Sequence, residues 1–145
     1  MAPPVDFRGV WLNEELGGDT PRFFQEGLQM GFMQRNLAKL ANYGQGKLTH
    51  TIEMNDEGTI ISNTMNIPEE KTYTWIVDGD EHDDGSGSKS MCYWEGGKLI
   101  VKPGSNAAPT AFMLTRYMDG DKMICDLSYP DKPGVSMLRT FKKIG

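Results

Sequence analysis

The stretch Ala111-Phe112-Met113-Leu114-Thr115-Arg116-Tyr117-Met118 decides how this chain is read. Successive side chains of a β-strand point to opposite faces, so Arg116 shares a face with Phe112, Leu114 and Met118. The closing stretch, Val135-Ser136-Met137-Leu138-Arg139-Thr140-Phe141, repeats the arrangement, with Arg139 between Met137 and Phe141 while Leu138 and Thr140 take the other face. Between the two, Met123, Cys125 and Leu127 alternate with Ile124 and Asp126. A guanidinium aimed at an apolar interior is costly unless an anion meets it there. Arginine is also mostly a surface residue, and Leu138 gives the opposite face its own claim to burial. Alternation alone therefore leaves both the inward and the outward placement of the arginines open.

Upstream of this region, turn residues recur at roughly strand-length intervals, which favours many short antiparallel strands over a β-α alternation. Strands are expected at 7–13, 47–54, 59–65, 71–77, 81–83, 88–94, 98–102, 109–118, 122–127 and 135–141. In the second of these, Leu48, His50, Ile52 and Met54 alternate with Thr49, Thr51 and Glu53. Short hairpin turns such as Glu95-Gly96-Gly97 and Asp119-Gly120-Asp121 join neighbours. The single helical stretch, 20–42, starts where Gly17-Gly18-Asp19 breaks the first strand. Thr20 is placed to cap it and Pro21 suits its first position. Phe24 with Leu28, and Leu37 with Leu40 and Ala41, have helical spacing, while Gly27 and Gly31 argue for two short helices joined around 30–32. Ten up-and-down strands either expose long edges or curl closed. The expected fold is all-β: one domain over 1–145, a ten-stranded antiparallel barrel capped by a helix-turn-helix after the first strand.

At 145 residues the chain buries roughly 70% of its unfolded surface, enough for a barrel with a cavity. Twenty acidic against fifteen basic side chains give a net charge of -5, which argues against a nucleic-acid partner. No apolar run approaches the ~18 residues of a membrane span, and Met1-Ala2-Pro3-Pro4 is no signal peptide, so a cytoplasmic location is expected. Cys92 and Cys125 lack CxxC spacing and suggest neither a disulfide framework nor zinc. The acidic run Asp78-Gly79-Asp80-Glu81-His82-Asp83-Asp84-Gly85 lacks the ligand register and distal Glu of a calcium loop. Asp84-Gly85-Ser86-Gly87-Ser88 precedes no helix and reads as a hairpin, not a phosphate cradle. His50 and His82 stand alone and no Gly-x-Ser-x-Gly motif is present, so no metal, cofactor or catalytic residue is expected.

The ordered motifs resemble the intracellular lipid-binding protein family, the fatty-acid-binding and cellular retinoid-binding proteins. Phe7-Arg8-Gly9-Val10-Trp11 resembles the family's opening Phe-x-Gly-x-Trp, and Gly31-Phe32-Met33-Gln34-Arg35 its Gly-Phe-x-x-Arg at the second helix. Residues 78–83 stand where the family has Gly-x-x-Phe-[Asp/Glu], with His82 in place of the aromatic. Arg116 falls at its first ligand-contacting arginine, Asp119-Gly120-Asp121-Lys122 at the next turn, and Arg139-Thr140-Phe141 at its terminal Arg-x-Tyr. Three departures mark a divergent member. Phe141 replaces the Tyr and removes a hydroxyl donor, the loop 128–134 is longer than the usual last hairpin, and residues 102–106 lack a Trp found near the end of that strand.

The resemblance implies a ligand cavity entered beneath the helices. It implies Arg116 and Arg139 as anchors for a carboxylate, with Phe141 beside them. Apolar contacts are expected from Phe24, Met33, Leu37, Met65, Trp75 and Leu114, with Cys125 on the same inner face; Met113 replaces Leu114 if Arg116 turns outward. A guanidinium fork answers a buried carboxylate with two parallel charge-assisted hydrogen bonds. Burying about fourteen methylenes at ~0.8 kcal/mol each then supplies roughly 11 kcal/mol, against ordering costs of several kcal/mol. Ten methionines suit a cavity that adapts to a flexible chain, and equally suit ordinary core filling. The expected partner is a small hydrophobic carboxylate such as a long-chain fatty acid, held by a monomer that touches membranes transiently through its helical cap. A retinoid, carotenoid or tetrapyrrole is the alternative ligand, and an enzyme on the same barrel a third reading.

Overall fold

The computed structural model describes residues 3–145. Its strands follow one another in the sheet as in the sequence: β1 Gly9–Gly18, β2 Thr49–Met54, β3 Ile60–Met65, β4 Lys71–Ile76, β5 Glu81–Asp83, β6 Lys89–Glu95, β7 Lys98–Pro103, β8 Met113–Asp119, β9 Lys122–Ser128 and β10 Ser136–Lys143. The pairing order is β4-β3-β2-β1-β10-β9-β8-β7-β6-β5, every step antiparallel, which is the expected up-and-down barrel. Between β4 and the three-residue β5 the ladder is interrupted, and Thr74 N–H donates to the Asp84 carbonyl across it at 2.9 Å. Asp84 is 5% exposed. Its carboxylate accepts from the Ser86 N–H and from the Ser86 and Ser90 hydroxyls, which fixes the loop that bridges the gap.

β1 runs longer than its sequence pattern suggests. A register shift between Asn13 and Glu15 separates a first half paired with β2 from a second half that continues along β10 as far as Gly18. The bulge lies within the β1–β10 ladder and bends β1 where its pairing with β2 has ended, carrying Gly17 and Gly18 along β10 before the chain turns. The helical segment is divided as expected into α1 Thr20–Arg22, a π-helical turn Phe23–Gly27 and α2 Phe32–Leu40. The cap is Asp19 and not Thr20: its carboxylate accepts from Arg22 N–H, and Thr20 is already the first helical residue. β8 starts at Met113, four residues later than its apolar pattern begins. Phe112 instead leaves the sheet and sets its ring edge-on to Phe23 at 5.7 Å.

Inward positions form two apolar clusters. The larger holds Phe7, Trp11, Ile52, Ile61, Trp75, Leu99, Leu114, Met123 and Phe141 inside the barrel. The smaller holds Phe23, Phe24, Tyr129, Val135 and Met137, where the π-helical turn packs on the long loop before β10.

Candidate ligand-binding site

Three strands bring the key inward side chains into one row. Cys125 of β9 is in register with Arg116 of β8 on one side and with Arg139 of β10 on the other, and Arg116 is in register with Leu99 of β7. Arg116 points inward and is 0% exposed, which settles the parity: Leu114, 8% exposed, shares its face, and half-buried Met113 takes the other. The Arg116 guanidinium lies between two aromatic rings, 5.9 Å from the Phe7 centroid and 5.5 Å from the Trp75 centroid. Its Nε donates to Cys125 Sγ at 3.4 Å and its Nη2 to Asn63 Oδ1 at 2.8 Å. No carboxylate pairs with it among the described residues, and its Nη1 is buried with no hydrogen-bond partner.

His50 completes this group from β2. Its Nδ1 lies 3.1 Å from Asn63 Oδ1, and its ring meets Phe141 edge-on at 4.8 Å. Arginine has no acceptor, so Asn63 must turn its oxygen to Arg116, and that oxygen can only accept from His50. The His50 proton is therefore on Nδ1, and the 3.4 Å approach of Arg116 Nη2 to Nδ1 is a packing contact. Burial, and next the neighbouring charge of Arg116, push His50 down to about 3, so at neutral pH the ring has one proton and Nε2 presents a bare lone pair. That Nε2 is also buried without a partner. Burial likewise pushes the Cys92 thiol up to about 12.

Arg139 is engaged differently. Its Nη1 donates to Asn13 Oδ1 at 2.7 Å and to the Tyr43 carbonyl at 2.8 Å. Asn13, itself 0% exposed, donates to the carbonyls of Glu15 and Thr140 at the β1 bulge. Arg139 therefore ties the end of the helical segment to the barrel wall. Burial lowers it to about 10, which leaves it charged at neutral pH.

Of the residues expected to line the site, Phe141, Trp75, Leu114 and Cys125 are buried together in the larger cluster, Arg116 is buried with its guanidinium near Trp75 and Cys125, and Met65 is half-buried against the cluster. Phe24 is buried in the smaller cluster, 4.9 Å from the Tyr43 ring. Met33 and Leu37 do not line the interior: they are 77% and 66% exposed. α2 turns its half-buried side, Arg35 and Ala38, toward the protein, with Ala38 packed on the cluster that holds Phe24 and Tyr43, and leaves Phe32, Met33, Leu37 and Leu40 outward. His50, Asn63 and Asn13 also belong to the site, although no motif marks them. Asn63 carries the same signal as the arginines, a polar side chain between Ile61 and Met65 on an inward face. The loop 128–134 forms one wall of a recess of about 580 Å³ on the outer surface, against Arg22 and Glu26, which reaches neither Arg116 nor Arg139.

Neither protein-family models nor curated protein sequences match this chain. Solved structures do. The REP1-NXSQ fatty acid transporter superposes with a TM-score of 0.71 at 21% identity, covering 97% of each chain. Zebrafish ileal bile acid-binding protein, complexed with cholic acid, superposes at 0.69 with 26% identity over 95% of this chain and 98% of its own. The fold is that of the intracellular lipid-binding proteins. The fluorescent protein UnaG has it too, at a TM-score of 0.69 and 16% identity over 95% of this chain and 97% of its own. On this fold the present chain carries the unpaired Arg116, the His50–Asn63 pair beside it and the outward apolar face of α2. No helix among the described residues is long and apolar enough to cross a membrane.

Proposed function

We propose that this protein is a carrier that takes a long-chain carboxylate, such as a fatty acid, into its barrel and holds the head group on Arg116. The observation that supports this most is a fully buried guanidinium with no carboxylate partner and one unpartnered nitrogen. An ion out of water carries an effective penalty of several kcal/mol, which neutral hydrogen bonds to Asn63 and Cys125 and two ring faces offset only in part. A carboxylate arriving on Nη1 supplies the missing counter-charge. Arg139, half-buried on its tether to Tyr43, lends its field to the same anion without having to release its own partners.

The neighbours in structure include a fatty acid transporter and a bile acid-binding protein, which agrees with a hydrophobic ligand. Transfer to and from membranes is assigned to α2. Its exposed Phe32, Met33, Leu37 and Leu40 form an apolar strip beside Lys39, suited to shallow insertion at an anionic lipid surface. The test is a pair of titrations with hexadecanoate and hexadecanol. The double variant Arg116→Gln/Arg139→Gln should weaken hexadecanoate by about 100-fold or more while moving hexadecanol by less than about 5-fold, since a charge-assisted pair contributes roughly 1.5–3 kcal/mol per bond. Equal losses for acid and alcohol would remove the arginines from the anchor role.

A further inference from the structure

We infer that the head-group site selects a hydroxylated carboxylate, one bearing a hydroxyl on the second or third carbon, over the plain acid. The inference rests on the reading of Arg116 as carboxylate anchor and names the ligand class of that site. Two buried nitrogens lack partners where side chains from facing walls of the barrel, His50 of β2 and Arg116 of β8, meet, and they have opposite character. Arg116 Nη1 is a donor that wants an anion. His50 Nε2, with the ring proton held on Nδ1 by Asn63, is an acceptor that wants an O–H or N–H. Asn63 Oδ1 bridges the two side chains, 2.8 Å from Arg116 and 3.1 Å from His50, so both orphan atoms belong to one rigid group.

A plain carboxylate satisfies only the arginine. It brings no donor and leaves the buried imidazole lone pair unpaired. A neighbouring hydroxyl donates to Nε2 while the carboxylate accepts from Nη1, and every polar atom of the pair is then used. Sites that bury a hydrogen-bonding group discriminate strongly against ligands that leave it unpaired. His50 is thus a specificity-determining residue, and Phe141 fixes the ring it packs against.

The experiment compares hexadecanoate with its 2-hydroxy and 3-hydroxy derivatives on the wild-type protein and on His50→Leu. The expected result is that the better of the two hydroxy acids binds the wild type roughly 5- to 100-fold more tightly than hexadecanoate, and that in His50→Leu the ratio falls to about one. A ratio near one in the wild type, or a ratio that survives in His50→Leu, overturns the inference and assigns Nε2 to a bound water. If the hydroxy acids and hexadecanoate all fail to bind, the carrier reading falls with it; if they bind alike, only the selectivity falls. A readout on the wild type alone guards against a variant that does not fold. With ¹⁵N-labelled histidine, the His50 Nε2 resonance should shift toward a hydrogen-bonded acceptor when the hydroxy acid is added and stay in place with hexadecanoate. The same shift with both ligands overturns the inference.

Discussion

Replacing Arg116 by methionine should make the empty protein more stable while it loses its acid ligand. Arg116 is 0% exposed, so the variant removes a fully desolvated charge and leaves a side chain of similar length among Phe7, Trp75 and Leu99. On the debit side are one charged hydrogen bond to Asn63, a weak one to Cys125 and two ring contacts. Asn63 Oδ1 keeps the His50 N–H as donor, so no acceptor is orphaned. Exchanging buried ions for apolar residues of like volume is neutral to stabilising by about 1–4 kcal/mol. With no counter-ion to lose here, a gain of about 1–3 kcal/mol is expected, or roughly 3–10 °C in Tm for a chain of this size. Urea unfolding of the ligand-free protein, with and without added hexadecanoate, measures both effects. Hexadecanoate should stabilise the wild type, in line with mass action, and should barely stabilise Arg116→Met. A ligand-free variant weaker than the wild type by more than about 2 kcal/mol would show that Arg116 is a structural keystone and refute the reasoning.

His50 sits near 3 in the fold, below its ordinary 6.5, so the unfolded chain takes up a proton on acidification that the folded chain refuses. Stability should be full above about pH 6.5 and fall by roughly 2–3 kcal/mol by pH 4.5, and His50→Gln should flatten that slope in urea titrations at each pH. Asp84→Ala frees three donors and loosens the closure between β4 and β5, so it should lower stability by about 2–4 kcal/mol in chemical denaturation. Arg139→Gln removes the tie to Tyr43, and hydrogen exchange should quicken at 41–45 while the β8 and β9 amides keep their protection. Phe32→Ser/Leu37→Ser on α2 should change stability by less than about 0.5 kcal/mol, both side chains being exposed, yet slow the transfer of a fluorescent fatty acid to anionic vesicles.

The barrel was legible because its strands alternate cleanly: Leu48, His50, Ile52 and Met54 all turn inward, as their spacing demands, and Glu81–Asp83 is a strand as read. What the pattern missed lies where long-range geometry overrides it. The β1 bulge falls within the β1–β10 ladder, just past the end of the pairing with β2, and no local residue announces it. Arg116 and Arg139 occupy equivalent alternation positions, yet one is left unpaired and the other is spent on Asn13 and a backbone carbonyl; that difference depends on Tyr43, far away in sequence. Met33 and Leu37 follow a helical apolar stripe, and such a stripe does not by itself say which way the helix faces. His50 looked like an isolated core histidine. Only its contact with Asn63 across the β2–β3 pair reveals which nitrogen is free.

The claim that an unpaired internal arginine awaits a carboxylate is tested most directly by the resonance of hexadecanoate labelled with ¹³C at its carboxyl carbon and bound to the wild-type protein. The account predicts one shifted carboxyl signal that does not titrate between pH 8 and pH 5 and that is lost in Arg116→Met. A bound carboxyl that titrates like the free acid, with the same behaviour in the variant, would contradict it.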